Sequence, residues 1–279
     1  GNVYLPTSPE FAMKRLLAGG LTQIFQMCSS FRDEPAASTH LPEFTILEWY
    51  RAHAKLEGIM EDTELLIETL AHKILGRSEL TFQDRKINVS TPWPRLWIPD
   101  LFLAHTGIDL KRATTRSLLA KECQKLGHSV GADENWDDLY FKIWLNCVEP
   151  KLPGDRAIIV HGYPASQAAL SIIETHADGS KWARRFEVYA GGLELGNAFE
   201  ELTDAAEQKR RFAKDMKIRE KLYGKKFPTT PMDQGFLRAL QEGLPPCSGI
   251  AVGVDRLVML LANESEIDFT VWLTPQSLR

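Results

Sequence analysis

Arginine, histidine and glutamate residues in one short stretch could bind a charged small molecule. The segment from Phe31 to Arg51 reads FRDEPAASTHLPEFTILEWYR, which is two apolar runs joined by a polar loop. If the second run is an extended strand, Phe44, Glu48 and Tyr50 share one side of it, because side chains alternate between faces. An unpaired buried carboxylate is costly, so this side is either wet or shaped to receive a cation. The alternative for Glu48 is an ordinary half-exposed edge strand.

A second pair of carboxylates flanks a predicted hairpin turn at Gly191-Gly192. Two glycines between apolar runs predict a two-residue turn, which sets Tyr189 opposite Glu194 and Glu187 diagonal to Glu194. Two carboxylates on one face repel each other unless a cation lies between them, which suggests a magnesium ion. From the hairpin alone, this site and a solvated face with two unrelated glutamates explain the pattern equally well.

Asn197 and Glu201 follow in the same predicted strand and share one face. Strict pairing would put Asn197 on the face opposite Glu194. A bulge at Gly196 would return both side chains to one cavity, because a bulge adds one residue to one strand of a pair.

The segment over residues 249–256 reads GIAVGVDR, a glycine-bearing strand that leads to Arg256 at the start of a helix. Small residues let a nucleotide approach the backbone closely. Taken alone the string is a weak signal, since an arginine near a helix start with no ligand is common.

Predicted helices and strands must position these residues. A short helix is expected over about residues 10–18, closed by glycines, and Asp204 with Glu207 predicts the start of a helix that runs to about residue 223. Strands are expected at 23–29, 157–160, 185–190, 193–199 and 249–254. Helical spacing over 55–75 predicts a helix with a core stripe of Leu56, Ile59, Met60, Leu65, Leu66, Leu70 and Ile74. Residues 77–156 carry no chemical motif and are interpreted as an inserted helical region that could cover the site.

The bulk properties exclude several classes of protein. A formal net charge of -4, from 33 basic and 37 acidic residues, lacks the basic footprint of extensive nucleic-acid contact. Four cysteines without C-x-x-C spacing and dispersed histidines argue against a disulfide framework or a zinc site, and suit a reducing cytoplasm. No stretch approaches the ~18 apolar residues of a membrane span, so we expect a cytoplasmic protein with no membrane partner.

Taken in order, these motifs resemble the class II aminoacyl-tRNA synthetases of the lysyl-tRNA synthetase type, which include the ligases that modify elongation factor P. FRDE, His40, PEFT and EWY resemble motif 2 of that family, and GVDR resembles motif 3. The resemblance runs from about Tyr4 to about Val271 and is weak over 77–156. It implies an α+β fold, a class II synthetase-type catalytic domain with an antiparallel sheet flanked by helices. We expect one domain over 1–279 with the helical insertion at 77–156.

The resemblance implies that ATP and Mg²⁺ are bound. Arg32 would hold the α-phosphate and the substrate carboxylate, Phe44 would stack on adenine, and Arg256 would lie near the γ-phosphate. Arg32 and Arg256 are therefore the expected catalytic residues, and Glu187 and Glu194 the expected magnesium ligands. The other residues expected at ATP are Glu34, His40, Leu195 and Gly253, together with Glu194.

The resemblance also implies a pocket for lysine or beta-lysine. A hydrogen bond to a charged partner contributes about 1.5 to 3 kcal/mol, so two separated carboxylates select a diamino acid over one with a neutral side chain. The residues expected in this pocket are Ser8, Glu10, Glu48, Tyr50, Asn197, Glu201 and Ala251.

Two features favour the protein-modifying ligases over the tRNA enzymes. The string YPASQA at 163–168 resembles a segment typical of the ligases, and Ala251 stands where the tRNA enzymes usually have glycine. The extra methyl group would shrink the pocket and disfavour alpha-lysine relative to beta-lysine. Leu41, in place of the usual Asn, and the string Gly196-Asn197-Ala198 depart from the family pattern.

The expected function is ATP-dependent activation of (R)-beta-lysine as the adenylate, with transfer to a lysine side chain of elongation factor P. The alternatives are a lysyl-tRNA synthetase domain that charges tRNA with alpha-lysine, and a non-catalytic regulatory paralogue. We expect elongation factor P as the protein partner, a homodimer, and no tRNA partner. Motif 1, which builds the dimer interface of the family, is not found, and Gly1 is not expected to be a natural start.

Overall fold

The computed structural model describes residues 4–224 and 231–272, and its framework is one large, mostly antiparallel sheet. The described strands are β1 (Gln23–Phe31), β2 (Glu43–Ala52), β3 (Glu79–Phe82), β4 (Arg85–Asn88), β5 (Arg95–Trp97), β6 (Ile158–Pro164), β7 (Ile173–Thr175), β8 (Lys181–Ala190), β9 (Leu193–Glu200) and β10 (Cys247–Gly253). The sequence VYLPTSP over residues 3–9 predicts an extended entry, and Val3 of that segment lies outside the described residues.

The main sheet has the order β1-β2-β10-β9-β8-β6-β5, and β7 pairs with β8 at one side. All of these pairs are antiparallel except β5 with β6, which is parallel. The short strands β3 and β4 form a separate hairpin. The antiparallel sheet expected from the sequence is therefore confirmed.

The described α-helices flank this sheet. They are α1 (Glu10–Ala18), α2 (Leu56–Leu75), α3 (Ile98–Thr106), α4 (Arg116–Lys125), α5 (Trp136–Ile143), α6 (Ala205–Tyr223), α7 (Gln234–Gly243) and α8 (Val254–Ala262). Asp204 caps α6 by accepting the Ala206 and Glu207 N–H groups at 2.8 and 3.0 Å, as the sequence predicted. Within the described ranges, no helix has both the length and the apolar character that crossing a bilayer requires.

The two faces of the sheet differ in what covers them. On one face, α2 and α8 pack against strand residues such as Phe186, Val188, Leu195 and Val252 to form the largest core. On the other face, α1 and α7 pack over Tyr50 at the β2 side. The polar residues of interest lie on this second face, beside α1.

Two sequence-based expectations need correction. In α2, Leu65 and Ile74 are exposed, because they lie off the line of positions that faces the sheet and ends at Ile67 and Ala71. The region 77–156 is not helical throughout, since it also contains β3, β4 and β5, of which β5 extends the main sheet. Short strands with long-range partners leave little periodicity for a sequence pattern to reveal.

The helices α3, α4 and α5 of this region share a second hydrophobic core with β6 and β8. The side chains that join them include Phe102, Tyr140, Ile158 and Val160, all buried. These helices are therefore packed against the sheet at β6 and β8, and Gln167 Nε2 donates to Asp137 Oδ1 of α5 at 2.7 Å.

Candidate functional site

Side chains from four neighbouring strands lie in one row across the sheet. Glu48 of β2 is the register partner of Ala251 in β10, Ala251 pairs with Asn197 in β9, and Asn197 pairs with Glu187 in β8. Residues directly opposite each other in antiparallel strands point to the same face. The register therefore brings these predicted site residues onto one surface.

A bulge in β9 adds Glu194 to this surface. The register passes from Val188 with Gly196 to Tyr189 with Glu194, so Leu195 is the extra residue. The preceding turn has positive φ at both glycines, as a tight hairpin turn requires. The bulge proposed at Gly196 is thus present one peptide unit away, and it returns Glu194 to the face of Asn197.

Glu187 and Glu194 form the pair of carboxylates predicted to hold a metal ion. Arg185 Nη2 donates to Glu187 Oε1 at 2.5 Å, and the Tyr189 hydroxyl donates to Glu187 Oε2 at 2.8 Å. The Glu194 carboxylate accepts no hydrogen bond from any residue that the structure describes. Burial raises the pKa of Glu194, and the charge of Glu187 raises it further. Two carboxylates that repel each other on one face, one of them unengaged, fit a divalent cation.

Arg256 lies in the first turn of α8, where acceptors from two segments hold its guanidinium. Nη1 donates to Glu194 O at 2.7 Å, Nε donates to Thr39 O at 3.1 Å, and Nη2 lies 2.5 Å from His40 Nε2. Burial and the charge of Arg256 lower the pKa of His40, so the imidazole is neutral at neutral pH. A neutral imidazole can accept a hydrogen bond from Nη2, which fixes the direction in which the guanidinium points.

Arg32 follows β1 and lies over an aromatic ring of β2. Its guanidinium carbon is 5.1 Å from the centroid of Phe44, a cation–π distance, and its backbone N–H donates to Pro42 O at 2.8 Å. The hairpin loop thus presents a cation and a flat apolar surface side by side. That combination suits a phosphate joined to a planar base.

These elements surround a cavity of about 200 Å³. Two guanidinium groups contribute to it, and Asp255, a residue not singled out from the sequence, fixes the start of α8 by accepting the Thr45 N–H at 2.6 Å. Of the predicted site residues, those that line the cavity are Arg32, Glu34, His40, Phe44, Glu194, Leu195, Asn197, Ala251, Gly253 and Arg256. Those that do not line it are Ser8, Glu10, Glu48, Tyr50, Glu187 and Glu201.

A cluster of acidic side chains, Glu10, Glu48 and Glu201, lies beside the cavity on the same sheet face and is called the acidic pocket below. Glu48 is 1% exposed, and it accepts hydrogen bonds from Ser8 Oγ at 3.0 Å and from the Tyr50 hydroxyl. Burial and the nearby charge of Glu10 raise the pKa of Glu48 to about 7. Burial also raises the pKa of Glu201. Five of the residues expected in the substrate pocket therefore lie together here, whereas Asn197 and Ala251 line the cavity. The five are Ser8, Glu10, Glu48, Tyr50 and Glu201.

Two basic residues of this face were missed by sequence reasoning. Lys14 is buried between two carboxylates of the acidic pocket, and Arg185 bonds to Gln167 O at 2.9 Å as well as to Glu187. The signal for Lys14 was its spacing of four residues from Glu10, which puts both on one side of a helix. The signal for Arg185 was its alternation with Glu187 in a strand.

Comparison with known proteins places these observations in a family. The family described as "tRNA synthetases class II (D, K and N)" matches residues 1–275. The "Elongation factor P--(R)-beta-lysine ligase" of Salmonella typhi is 41% identical over 276 residues, which are 97% of this chain and 78% of that protein. The protein of the same name from Yersinia enterocolitica is 41% identical over 268 residues, 95% of this chain and 75% of that protein. The one from Haemophilus ducreyi is 38% identical over 265 residues, 95% of this chain and 74% of that protein.

Proposed function

The chain belongs to the class II aminoacyl-tRNA synthetase family, and we propose that it activates (R)-beta-lysine with ATP and transfers it to a lysine side chain of elongation factor P. The observation that carries this proposal is one sheet face with an arginine-lined cavity at one end and the acidic pocket beside it. The substrate and the acceptor are those after which relatives about 40% identical over most of the chain are named.

The cavity suits the triphosphate. Arg32 binds the α-phosphate and the substrate carboxylate, Phe44 stacks on the adenine, and Arg256 lies near the γ-phosphate. Glu34, His40, Leu195 and Gly253 line the same cavity. Magnesium bound with ATP would neutralise part of the phosphate charge, and Glu187 and Glu194 would hold it.

The acidic pocket suits the two amines of the substrate. An ammonium group gains about 1.5 to 3 kcal/mol from a hydrogen bond to a charged partner, whereas a neutral side chain would leave a carboxylate buried and unpaired. The residues we assign to the substrate are Ser8, Glu10, Glu48, Tyr50, Asn197, Glu201 and Ala251.

The reaction requires positioning and charge stabilisation rather than a protein nucleophile. A carboxylate oxygen of beta-lysine forms a bond to the α-phosphorus, the bond to the bridging oxygen breaks, and pyrophosphate leaves with the electron pair. Arg32 and Arg256 stabilise the negative charge that builds up on the phosphates. The amine of the acceptor lysine then bonds to the acyl carbon, AMP leaves, and the amine loses a proton.

The test is pyrophosphate exchange with alpha- and beta-lysine, followed by mass measurement of elongation factor P after incubation with enzyme, ATP and each isomer. We expect exchange to prefer beta-lysine and the acceptor to gain the mass of one beta-lysyl group. Preference for alpha-lysine with charging of tRNA would instead identify a tRNA synthetase. Absence of exchange with every diamino acid would identify a regulatory paralogue.

A further inference from the structure

Lys14 is a buried cation inside the acidic pocket. It is 1% exposed, and its ammonium lies 2.5 Å from Glu10 Oε1 and 2.5 Å from Glu201 Oε2. The rings of Tyr50 and Phe236 are each centred 5.9 Å from the same atom. An ammonium group is stable in such a place only when it is paired.

The fold keeps this ammonium charged. Burial alone would lower the pKa of Lys14, but the Glu10 and Glu201 carboxylates outweigh burial and raise that pKa above its ordinary value. Glu10 and Lys14 are four residues apart in α1 and so share one helix side, while Glu201 comes directly after β9. The ion pairs therefore link α1, which begins at Glu10 two residues after Ser8, to the end of β9, the strand that contains Asn197.

The charges of the pocket can be counted. Glu10, Glu48 and Glu201 supply three negative charges when ionised, and Lys14 supplies one positive charge. Two negative charges remain, which equals the number of ammonium groups on a diamino acid. The substrate carboxylate does not enter this count because we assign it to Arg32.

The acidic pocket also contains a carboxylate oxygen that can accept a hydrogen bond from a ligand. Glu201 Oε1 is buried and accepts no hydrogen bond from any residue in the described ranges. A buried carboxylate oxygen without a donor is costly, and a substrate ammonium would supply the donor. If the ion pair of Lys14 and Glu201 served only to hold α1 against the sheet, it would not explain why the other oxygen of Glu201 accepts no hydrogen bond from a described residue.

We propose that Lys14 is a positioning residue that sets the amine capacity of the pocket, because it fixes Glu10 and Glu201 in place and cancels one of three acidic charges. This inference rests on the proposed function and specifies it further. The pocket selects a substrate with two ammonium groups because the ammonium of Lys14 already cancels the third acidic charge.

The test uses the full chain and the variants Lys14→Ala and Lys14→Met. Lys14→Ala leaves space for n-propylammonium, which replaces the missing side chain, whereas Lys14→Met fills that space with a neutral chain. Beta-lysine binding is measured by calorimetry, and kcat and KM are measured by pyrophosphate exchange. Lys142→Ala is the matched control, since Lys142 also forms an ion pair, with Glu134, but lies in the insertion.

We expect both Lys14 variants to raise the Kd and KM for beta-lysine at least about tenfold, with a smaller change in kcat. Added n-propylammonium should bring the Kd and KM of Lys14→Ala most of the way back to the wild-type values. It should leave the Kd and KM of Lys14→Met and of the control Lys142→Ala unchanged. If Lys14→Ala does not fold, the raised Kd of Lys14→Met carries the test.

The inference is overturned if the Lys14 variants keep the wild-type Kd, or if n-propylammonium acts equally on Lys14→Ala and Lys14→Met. Wild-type protein that binds beta-lysine but does not exchange pyrophosphate contradicts the proposed function alone. Wild-type protein that binds no diamino acid contradicts both.

Discussion

The arginine-lined cavity and the acidic pocket share one sheet face but hold their charges in different ways. In the cavity, Arg256 is held by backbone carbonyls and a neutral imidazole, and Arg32 lies over an aromatic ring, so neither guanidinium forms an ion pair with a described carboxylate. In the pocket, Lys14 is paired with Glu10 and Glu201. One region presents arginines without an ion-pair partner, and in the other an internal cation cancels one of three acidic charges.

This difference separates two tasks. Arginines in the cavity can stabilise negative charge that appears on the phosphates during the reaction, because neither forms an ion pair with a described carboxylate. A buried pocket with internal ion pairs holds its shape before the substrate arrives, so its residues determine which amine binds. Changes in the cavity should therefore lower kcat, and changes in the pocket should raise KM or alter selectivity.

The largest effect should come from Arg256→Ala. Removing one preorganised charged donor typically costs about 10²- to 10³-fold in kcat, roughly 3 to 4 kcal/mol, and KM for beta-lysine should change little. Pyrophosphate exchange measures both constants. Arg238→Ala is the control, because Arg238 is exposed on α7. If Arg256→Ala raised KM and left kcat unchanged, the assignment of kcat to the cavity and of KM to the acidic pocket would be wrong.

The next effect concerns stability and pH in the pocket. The pKa of Glu48 is raised from 4.5 to about 7, so its stabilising contribution is complete below pH 4.5 and is lost as pH rises through 7. The full loss is about 3 kcal/mol. Glu48→Gln stays neutral, so it does not lose this stability as pH rises. Its amide oxygen accepts a hydrogen bond from one of the two hydroxyl groups of Ser8 and Tyr50, and its NH₂ group can donate to the other.

Melting temperatures at pH 5 and pH 8 measure that difference. Relative to wild type, the Tm of Glu48→Gln should be higher at pH 8 by roughly 6 °C, and the advantage should shrink towards pH 5. Glu242→Gln, at an exposed position of α7, should show the same small offset at both pH values. An offset for Glu48→Gln that does not depend on pH would show that this carboxyl group does not titrate in that range.

Glu201→Gln tests the contribution of the acidic pocket to substrate binding. Loss of one charged partner should raise KM for beta-lysine about ten- to hundredfold, or about 1.5 to 3 kcal/mol, with kcat nearly unchanged. Glu242→Gln again serves as the control in pyrophosphate exchange. A fall in kcat with normal KM would place Glu201 with the arginines instead.

The sequence predicted which strand residues share one face of the sheet, but it did not predict the ion pairs between helix and sheet. The face shared by Phe44, Glu48 and Tyr50, and the pairing of Tyr189 with Glu194, follow from local alternation and a two-residue turn. Such patterns depend on residues close together in the chain. The motifs over residues 31–51 and 249–256 are also local runs of residues, so the sequence alone could reveal them.

The compensation inside the pocket could not be predicted in the same way. Lys14 meets Glu201 only because α1 packs against the sheet, and no pattern within either segment indicates that contact. The parallel pairing of β5 with β6 was missed for the same reason, since it joins residues more than 60 positions apart. In α2, periodicity identified a helix but could not tell that Leu65 would face solvent.

The smallest expected effect lies where the two regions meet, at Ala251. Its register partners are Glu48 and Asn197, and it lines the cavity, so its methyl group lies where the cavity adjoins Glu48 of the acidic pocket. Ala251→Gly should relax the preference for beta-lysine over alpha-lysine about fivefold, or about 1 kcal/mol, because one methyl group in a pocket discriminates only modestly. The ratio of kcat/KM for the two isomers in pyrophosphate exchange measures it, with Ala262→Gly at the end of α8 as the control. An unchanged ratio would mean that isomer choice is made by the acidic pocket alone, and an equal fall for both isomers would mean that the methyl group only packs.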